Sequence, residues 1–311
     1  MKIVALAGGV GGAKLVHGLS KVLPAEDLTV IVNTGDDFTQ FGLKVCPDID
    51  TICYTLAEVA NPATGWGRDA ETWNVISEME KLGAPTWFRL GDKDIAYHLE
   101  RTRLASEGKK LSQIVEKICA IWSIGVKVLP MTDDVVSTHV ITDTGEDLPF
   151  QDYFVKFGCS PKVKEFRFDG MASAKPAFGV IESIREADFI IICPSNPFVS
   201  IEPILKVNGI SEAIGAKKVL AVSPIVGGKT IKGPAAKMFQ ELGFEPSVTN
   251  VMKLYSSFLN YCVLDDIDRN CVDAIEQWGI ISFSTNTIMK TVEDRIRLAR
   301  FITDICLGVG E

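Results

Sequence analysis

The chain opens on an apolar strand, Met1 to Leu6, that runs directly into Ala7-Gly8-Gly9-Val10-Gly11-Gly12-Ala13-Lys14. A glycine cluster at the end of a strand lets the backbone turn sharply and approach a ligand without a Cβ in the way. The amphipathic stretch Ala13 to Leu23 behind it reads as a helix, whose first amides and positive dipole end suit an anion. This start constrains the fold to one in which a strand feeds a helix, and it favours phosphate as the ligand. The bland alternative is a tight strand-to-helix turn that binds nothing.

The spacing fits neither common phosphate fingerprint. In a dinucleotide turn, G-x-G-x-x-G, the segment Gly9-Val10-Gly11-Gly12-Ala13-Lys14 has Lys14 at the third glycine. In a Walker loop, Ala13 stands at the second glycine and Leu15 at the magnesium-binding hydroxyl. A second near-match, Ser223-Pro224-Ile225-Val226-Gly227-Gly228-Lys229-Thr230, begins with serine and carries a proline.

Further apolar runs at Leu28 to Val32, Phe189 to Cys193 and Lys218 to Val222 read as buried strands, each followed by a polar or breaker-rich loop. Helical patterns lie between them, at Thr51 to Val59 and after Pro194-Ser195-Asn196-Pro197, and Glu293 to Leu307 reads as a closing helix. The expected class is α/β, a Rossmann-like, mostly parallel sheet with helices on both faces. In such sheets ligands sit beyond the carboxyl ends of the strands, so the unusual loops should gather on one edge. From Asn61 to Gly170 the pattern changes. A breaker-rich loop, Asn61-Pro62-Ala63-Thr64-Gly65-Trp66-Gly67, precedes helical Glu71 to Lys81 and Lys110 to Trp122, with short strand-like runs at Val126 to Leu129 and Thr138 to Thr142. The expected organisation is a nucleotide-binding core of residues 1–60 and 171–311, with residues 61–170 inserted as a mixed or helical subdomain covering the strand ends.

The chain has 311 residues, enough for a substantial core, and 47% hydrophobic and 23% charged content is ordinary for a soluble protein. A formal charge of -8 argues against nucleic-acid binding. The 8 cysteines are scattered without a C-x-x-C pair and several sit in apolar runs, as expected for reduced thiols in a cytoplasmic protein. Neither a secretory leader nor a membrane span is expected.

Two acidic segments carry candidate chemistry. Asn33-Thr34-Gly35-Asp36-Asp37 ends a strand, and Pro47-Asp48-Ile49-Asp50-Thr51 precedes a helical stretch. Carboxylates grouped beside a phosphate-binding turn repel one another and the phosphate unless a divalent cation neutralises them, and magnesium prefers oxygen ligands. Asp48 or Asp50 could equally cap a helix. Neighbouring side chains on an extended chain point to opposite faces, so Asp36 and Asp37 should not bind one ion side by side. Ser195, Asn196, Gly227 and Gly228 offer small groups to a nucleotide. His17, His98 and His139 form no ligand motif and read as structural. Trp66, Trp73, Trp87 and Phe88 precede Arg89; stacked on a flat heterocycle they would form a binding wall, but as residues alone they read as subdomain core.

In order, Gly8-Gly9-Val10-Gly11-Gly12-Ala13-Lys14, Asn33-Thr34-Gly35-Asp36-Asp37, Pro47-Asp48-Ile49-Asp50-Thr51, Ser195-Asn196-Pro197 and Ser223-Pro224-Ile225-Val226-Gly227-Gly228 together resemble the 2-phospho-L-lactate transferase family of deazaflavin coenzyme biosynthesis. The resemblance covers nearly the whole chain. It implies transfer of a 2-phospholactyl or enolpyruvyl-phosphate group from a guanosine-diphosphate-linked donor to the ribityl hydroxyl of 7,8-didemethyl-8-hydroxy-5-deazariboflavin, releasing GMP. It implies Asp50 and Arg89 as acceptor contacts. On this basis Asp50 and Asp37 are the expected catalytic residues, and Asp37 with Asp48 the expected holders of Mg2+. Gly9, Gly11, Gly12 and Lys14 should cradle the diphosphate, while Ser195, Asn196, Gly227 and Gly228 receive the guanosine part. Small molecules are the expected partners, with a homodimer possible. Two other readings stay open: a non-catalytic nucleotide-sugar-binding regulator of the gluconeogenesis-factor type, and a dinucleotide-dependent oxidoreductase.

Overall fold

A computed structural model describes residues 1–308. Its core is a seven-stranded sheet built from β1 (Ile3–Ala7), β2 (Leu28–Val32), β3 (Lys127–Pro130), β4 (Phe189–Ile192), β5 (Lys218–Val222), β6 (Tyr261–Asp265) and β7 (Ile281–Thr285). All neighbours pair in parallel, in the spatial order β7-β6-β5-β4-β1-β2-β3. Parallel strands covered on both faces need apolar side chains on both, hence the continuous runs IVALA and FIII. Alternate residues feed opposite layers. Ile3, Ala5 and Ala7 pack with Leu15, Ile52 and Ile302, while Val4 and Leu6 pack with Val180, Ile204 and Phe239.

Helix α1 (Gly9–Val22) begins inside the glycine cluster rather than behind it. The chain between β2 and β3 carries α2 (Pro47–Leu56), α3 (Asn74–Lys81), α4 (Asp92–Ser106) and α5 (Leu111–Ile121). Pro47 sits in the first turn of α2, where its missing N–H costs nothing, so the helix starts earlier than the expected Thr51. Asp48 and Asp50 are thereby in its first turn. Within residues 61–170, expected as an insert, β3 pairs with β2 from Thr29↔Lys127 to Val32↔Pro130. The sheet therefore passes through that stretch and divides it. Helices lie on one side of β3 in sequence; on the other lies a small antiparallel sheet of Ser137–Thr142, Asp147–Pro149 and Val163–Asp169. Among the described residues no helix is long and apolar enough to cross a membrane.

From β1 the chain leads outward to β2 and β3, whereas β4 leads the other way to β5, β6 and β7. A crevice opens at such a reversal, beyond the carboxyl ends of the two central strands. The closing helix Val292–Gly308 buries Leu298, Ala299 and Ile302 against the α1 layer. Its crossing with α1 is close: a Cβ on Gly18 would lie 2.2 Å from the Arg295 carbonyl oxygen. Gly18→Ala should therefore lower stability by about 1–3 kcal/mol in urea unfolding. Gly215→Ala, whose Cβ would meet open space, should leave it unchanged or slightly raised.

Candidate functional site

A cleft of about 850 Å³ lies at the reversal point, lined by Gly9, Gly11, Lys14, Asp48 and Ser195 together with Tyr54, Trp66, Trp87, Phe88, Arg89 and Asp94. The glycine turn forms its floor because nothing larger fits. A Cβ on Gly11 would come within 2.3 Å of the Pro194 carbonyl oxygen at the end of β4, and one on Gly12 within 2.5 Å of Ser195 Oγ. Ser195 Oγ also accepts from the Gly8 amide at 3.0 Å and donates to the Gly8 carbonyl at 2.7 Å, fastening the two strand ends together.

Asn33 organises the acidic side. Buried at the end of β2, it accepts from the Gly35 amide and donates from Nδ2 to Asp48 Oδ2 at 2.9 Å and to the Val199 carbonyl at 3.1 Å. Asp48 Oδ1 accepts from the Gly9 amide at 2.6 Å, so this amide of the turn is already engaged. A tight hairpin, Phe38–Gln40 with Leu43–Val45, folds the chain back and brings Asp36 and Asp37 to the start of α2. Burial pushes Asp36 well up, with the Asp48 charge adding to it; burial also raises Asp37, against the pull of Cys46 and Arg101. Asp48 is raised by burial to about 6, although Asn33 and the Gly9 amide favour its charged form.

Asp50, in the first turn of α2, is held at both carboxylate oxygens. Arg101 of α4, wholly buried, donates from Nη2 to Asp50 Oδ1 and from Nη1 to Asp50 Oδ2 at 3.2 Å. The Cys46 amide donates to Oδ2 at 3.3 Å, and His98 Nδ1 stands 3.8 Å away. The guanidinium also lies over the Tyr97 ring, 4.4 Å from its centroid. Burial lowers His98 to about 4, so at neutral pH it is an uncharged ring beside the ion pair.

The sequence-expected residues divide clearly. Gly9, Gly11, Lys14, Asp48, Asp50, Arg89, Ser195 and Asn196 line the one cleft, and Gly12 supports its floor. Asp36 lines it while Asp37 does not; Asp37 lies among Cys46, Arg101 and Asp50. Gly227 and Gly228 are also off its wall. They form the turn of the Ile225–Val226 and Lys229–Thr230 hairpin with φ of 56° and 73°, and Asp268 accepts from the Gly227 amide at 2.9 Å. Asn196 Oδ1 accepts from the Phe198 amide, a turn bond that holds the start of the next helical segment. Lys14 Nζ donates to the Met289 carbonyl at 2.8 Å; burial, then Arg295 and Lys232, lower its pKa. The aromatic residues are both wall and packing: Phe88 meets Phe38 at 4.8 Å while facing the cleft, and Arg89 lies over Trp73 at 5.2 Å.

Asp94, His98 and Arg101 were not legible as site residues because α4 buries a polar face, and Tyr54 of α2 carries no motif that marks it. The start of α4 is closed from outside. Glu71 accepts from the Lys93 and Asp94 amides, both at 2.9 Å, while Asp92 reciprocates by accepting from the Asn74 and Val75 amides at the start of α3. Across the cleft mouth Lys232 Nζ donates to the Thr64 carbonyl at 2.5 Å.

Asp36 and Asp37 each keep a buried Oδ1 without a hydrogen-bond partner among the described residues, so their donor set fits a divalent cation. Among those residues no three His, Cys, Asp or Glu side chains converge on one point. Magnesium tolerates this, since it commonly takes one or two carboxylates and completes its shell with water and phosphate oxygens.

Two substitutions probe this arrangement. Arg101→Met leaves the Asp50 charge buried and unpaired, and should cost about 3–5 kcal/mol in urea unfolding, with Asp50→Asn in the same chain recovering part of the loss. Asp94 is raised by burial from 3.8 to about 6, partly offset by Tyr54, so the folded state binds its proton more tightly than the unfolded state. Its contribution therefore makes stability fall as pH rises from about 4 to about 6. Asp94→Asn should flatten that fall and raise stability at pH 7, measured by urea unfolding at pH 4, 5, 6 and 7.

A family model described as 2-phospho-L-lactate transferase CofD matches residues 3–289. The phosphoenolpyruvate transferase of Streptomyces griseus is 44% identical over 96% of both chains. The 2-phospho-L-lactate transferase of Methanocaldococcus jannaschii is 38% identical over 98% of both. A crystal structure of a UPF0052-family protein from Bacillus halodurans superposes with a TM-score of 0.65 at 15% identity, over 97% of this chain and 98% of that one, a likeness of fold. The chain belongs to the CofD family of 2-phospho-L-lactate transferases, and it is a transferase.

Proposed function

We propose that this protein transfers an enolpyruvyl-phosphate or 2-phospholactyl group from a guanosine-diphosphate-linked donor to the terminal ribityl hydroxyl of 7,8-didemethyl-8-hydroxy-5-deazariboflavin. The hydroxyl oxygen bonds to the phosphorus that carries the organic group, the bond from that phosphorus to the bridging oxygen breaks, the hydroxyl proton is lost to solvent, and GMP leaves. The observation that carries this reading is the single cleft joining a backbone turn suited to phosphate to an aromatic wall suited to a flat heterocycle. Identities of 41% to 44% with relatives named phosphoenolpyruvate transferase, against 36% to 38% with those named 2-phospho-L-lactate transferase, favour the enolpyruvyl donor.

The glycine turn and Lys14 receive the diphosphate at the start of α1, where aligned amides and a half-buried ammonium group favour negative charge. Asp48, with Asp36 or Asp37, would hold magnesium. When bound, this ion neutralises phosphate charge. Asp50, with both oxygens held by Arg101, acts as a fixed acceptor that aims the ribityl hydroxyl; such alignment supplies much of what phosphoryl transfer requires. Ser195 and Asn196 border the donor end. The eight unpaired cysteines support a reducing, cytoplasmic setting.

The test combines purified protein, magnesium, the deazaflavin and each guanylyl donor in turn, and weighs the product by mass spectrometry. Product should form, faster with the enolpyruvyl donor. Absence of product with both donors would sink the reading. Asp50→Asn should lower kcat by about 100-fold while the variant still binds donor.

A further inference from the structure

Two polar groups on the cleft wall, which face one another closely enough for Tyr54 to draw the Asp94 pKa down, are left short of hydrogen-bond partners. Asp94 is 8% exposed and Tyr54 2% exposed, and both line the cleft beside Trp66, Gly67 and His98. Neither Asp94 Oδ1 nor the Tyr54 hydroxyl has a hydrogen-bond partner among the described residues. Helix capping does not explain Asp94, because Glu71 already takes the amides at the start of α4. The Arg68 charge favours the Asp94 carboxylate from nearby but forms no ion pair with it among the described residues. The neighbouring Arg68 guanidinium packs over the Tyr54 and Trp122 rings at 5.3 and 5.2 Å, and its Nε has no hydrogen-bond partner among the described residues. A buried polar group left unmatched is costly, so a pair of them facing a cleft marks a place where a ligand completes the bonding.

Position along α2 says which part of the ligand this is. Asp48 meets the glycine turn, Asp50 lies further on, and Tyr54 is about 9 Å beyond Asp48 at ~1.5 Å per residue. The diphosphate, the reacting hydroxyl and the far end of the acceptor would follow that order. A hydroxyl donor beside a carboxylate acceptor complements a carbonyl beside a ring N–H, the pattern on the pyrimidinedione edge of a deazaflavin.

We infer that Tyr54 and Asp94 read this edge of the acceptor, the Tyr54 hydroxyl donating to a ring carbonyl and the Asp94 carboxylate accepting from the adjacent ring N–H. The inference rests on the transferase reading above and makes the two residues determinants of acceptor specificity. Neither takes part in bond making.

The experiment measures deazaflavin binding by fluorescence titration to the wild-type protein, Asp94→Asn and Tyr54→Phe, using the parent acceptor and its ring-N-methyl analogue. Binding of the guanylyl donor by each variant serves as a control for folding, and Tyr54→Phe keeps the ring packing if Asp94→Asn does not fold. The wild type should bind the N-methyl analogue at least 10-fold more weakly than the parent. Asp94→Asn should lose at least 10-fold for the parent and discriminate little between the two ligands, and Tyr54→Phe should lose several-fold. Parent binding unchanged in both variants overturns the inference, and so does an Asp94→Asn protein that keeps its affinity and discrimination but loses turnover, which would make Asp94 a proton acceptor. Wild-type turnover is measured alongside. If it is absent with both donors, the transferase reading fails and takes the inference with it; if it is present, the variants judge the inference alone.

Discussion

The contact on which the rest depends is the one between two backbones: the first turn of α1 against the Pro194 carbonyl at the end of β4. Because β1 and β4 are neighbours whose onward connections diverge, a helix must leave β1 directly beside the place where the chain leaves β4. Gly11 and Gly12 let it do so at a distance no side chain permits, and Ser195 then ties the two strand ends through the Gly8 peptide. That closeness gives the cleft its floor and aims α1 at it. The departure from both phosphate fingerprints follows: these glycines are spaced to fit a neighbouring strand as well as a ligand.

Much of the fold was legible because parallel strands buried on both faces are unbroken apolar runs. β1, β2, β4 and β5 announce themselves in this way. β6 and β7 do not. The sequence YCVLD ends in an acid, and the edge strand ISFST is only partly covered, so neither shows a run or a clean alternation. Helix α4 escaped for a different reason: its buried residues include Asp94, His98 and Arg101 beside Ile95, Tyr97 and Leu104, so hydropathy finds no apolar stripe. The candidate site divides likewise. Motifs next to strand ends were readable, since topology gathers strand ends. Asp50's dependence on Arg101 was not, because that pairing joins elements whose approach only packing determines. The glycines at Gly227 and Gly228 show the converse: a loop of the right composition whose residues are needed for the turn itself.

The cleft wall and the side chains just behind it hold more acidic charge than their surroundings stabilise. Asp36, Asp37, Asp48 and Asp94 are all shifted toward their neutral forms by burial, whereas Asp50 is matched by a guanidinium. Unmatched acids are an expensive way to build a stable protein, and they leave acceptors open to partners from outside the fold. Binding then supplies what folding withheld, so affinity and specificity arise from the same groups that lower the stability of the free protein.

The reciprocal caps at the starts of α3 and α4 have a mechanical consequence. Glu71 precedes one helix and closes the other, while Asp92 opens the second and closes the first. Neither helix start can fray without releasing the acid that secures its counterpart. A wall clasped in this way behaves as one cooperative unit under local opening: under thermal or denaturant stress this wall of the cleft comes apart as a whole or stays intact, without passing through a loosened form.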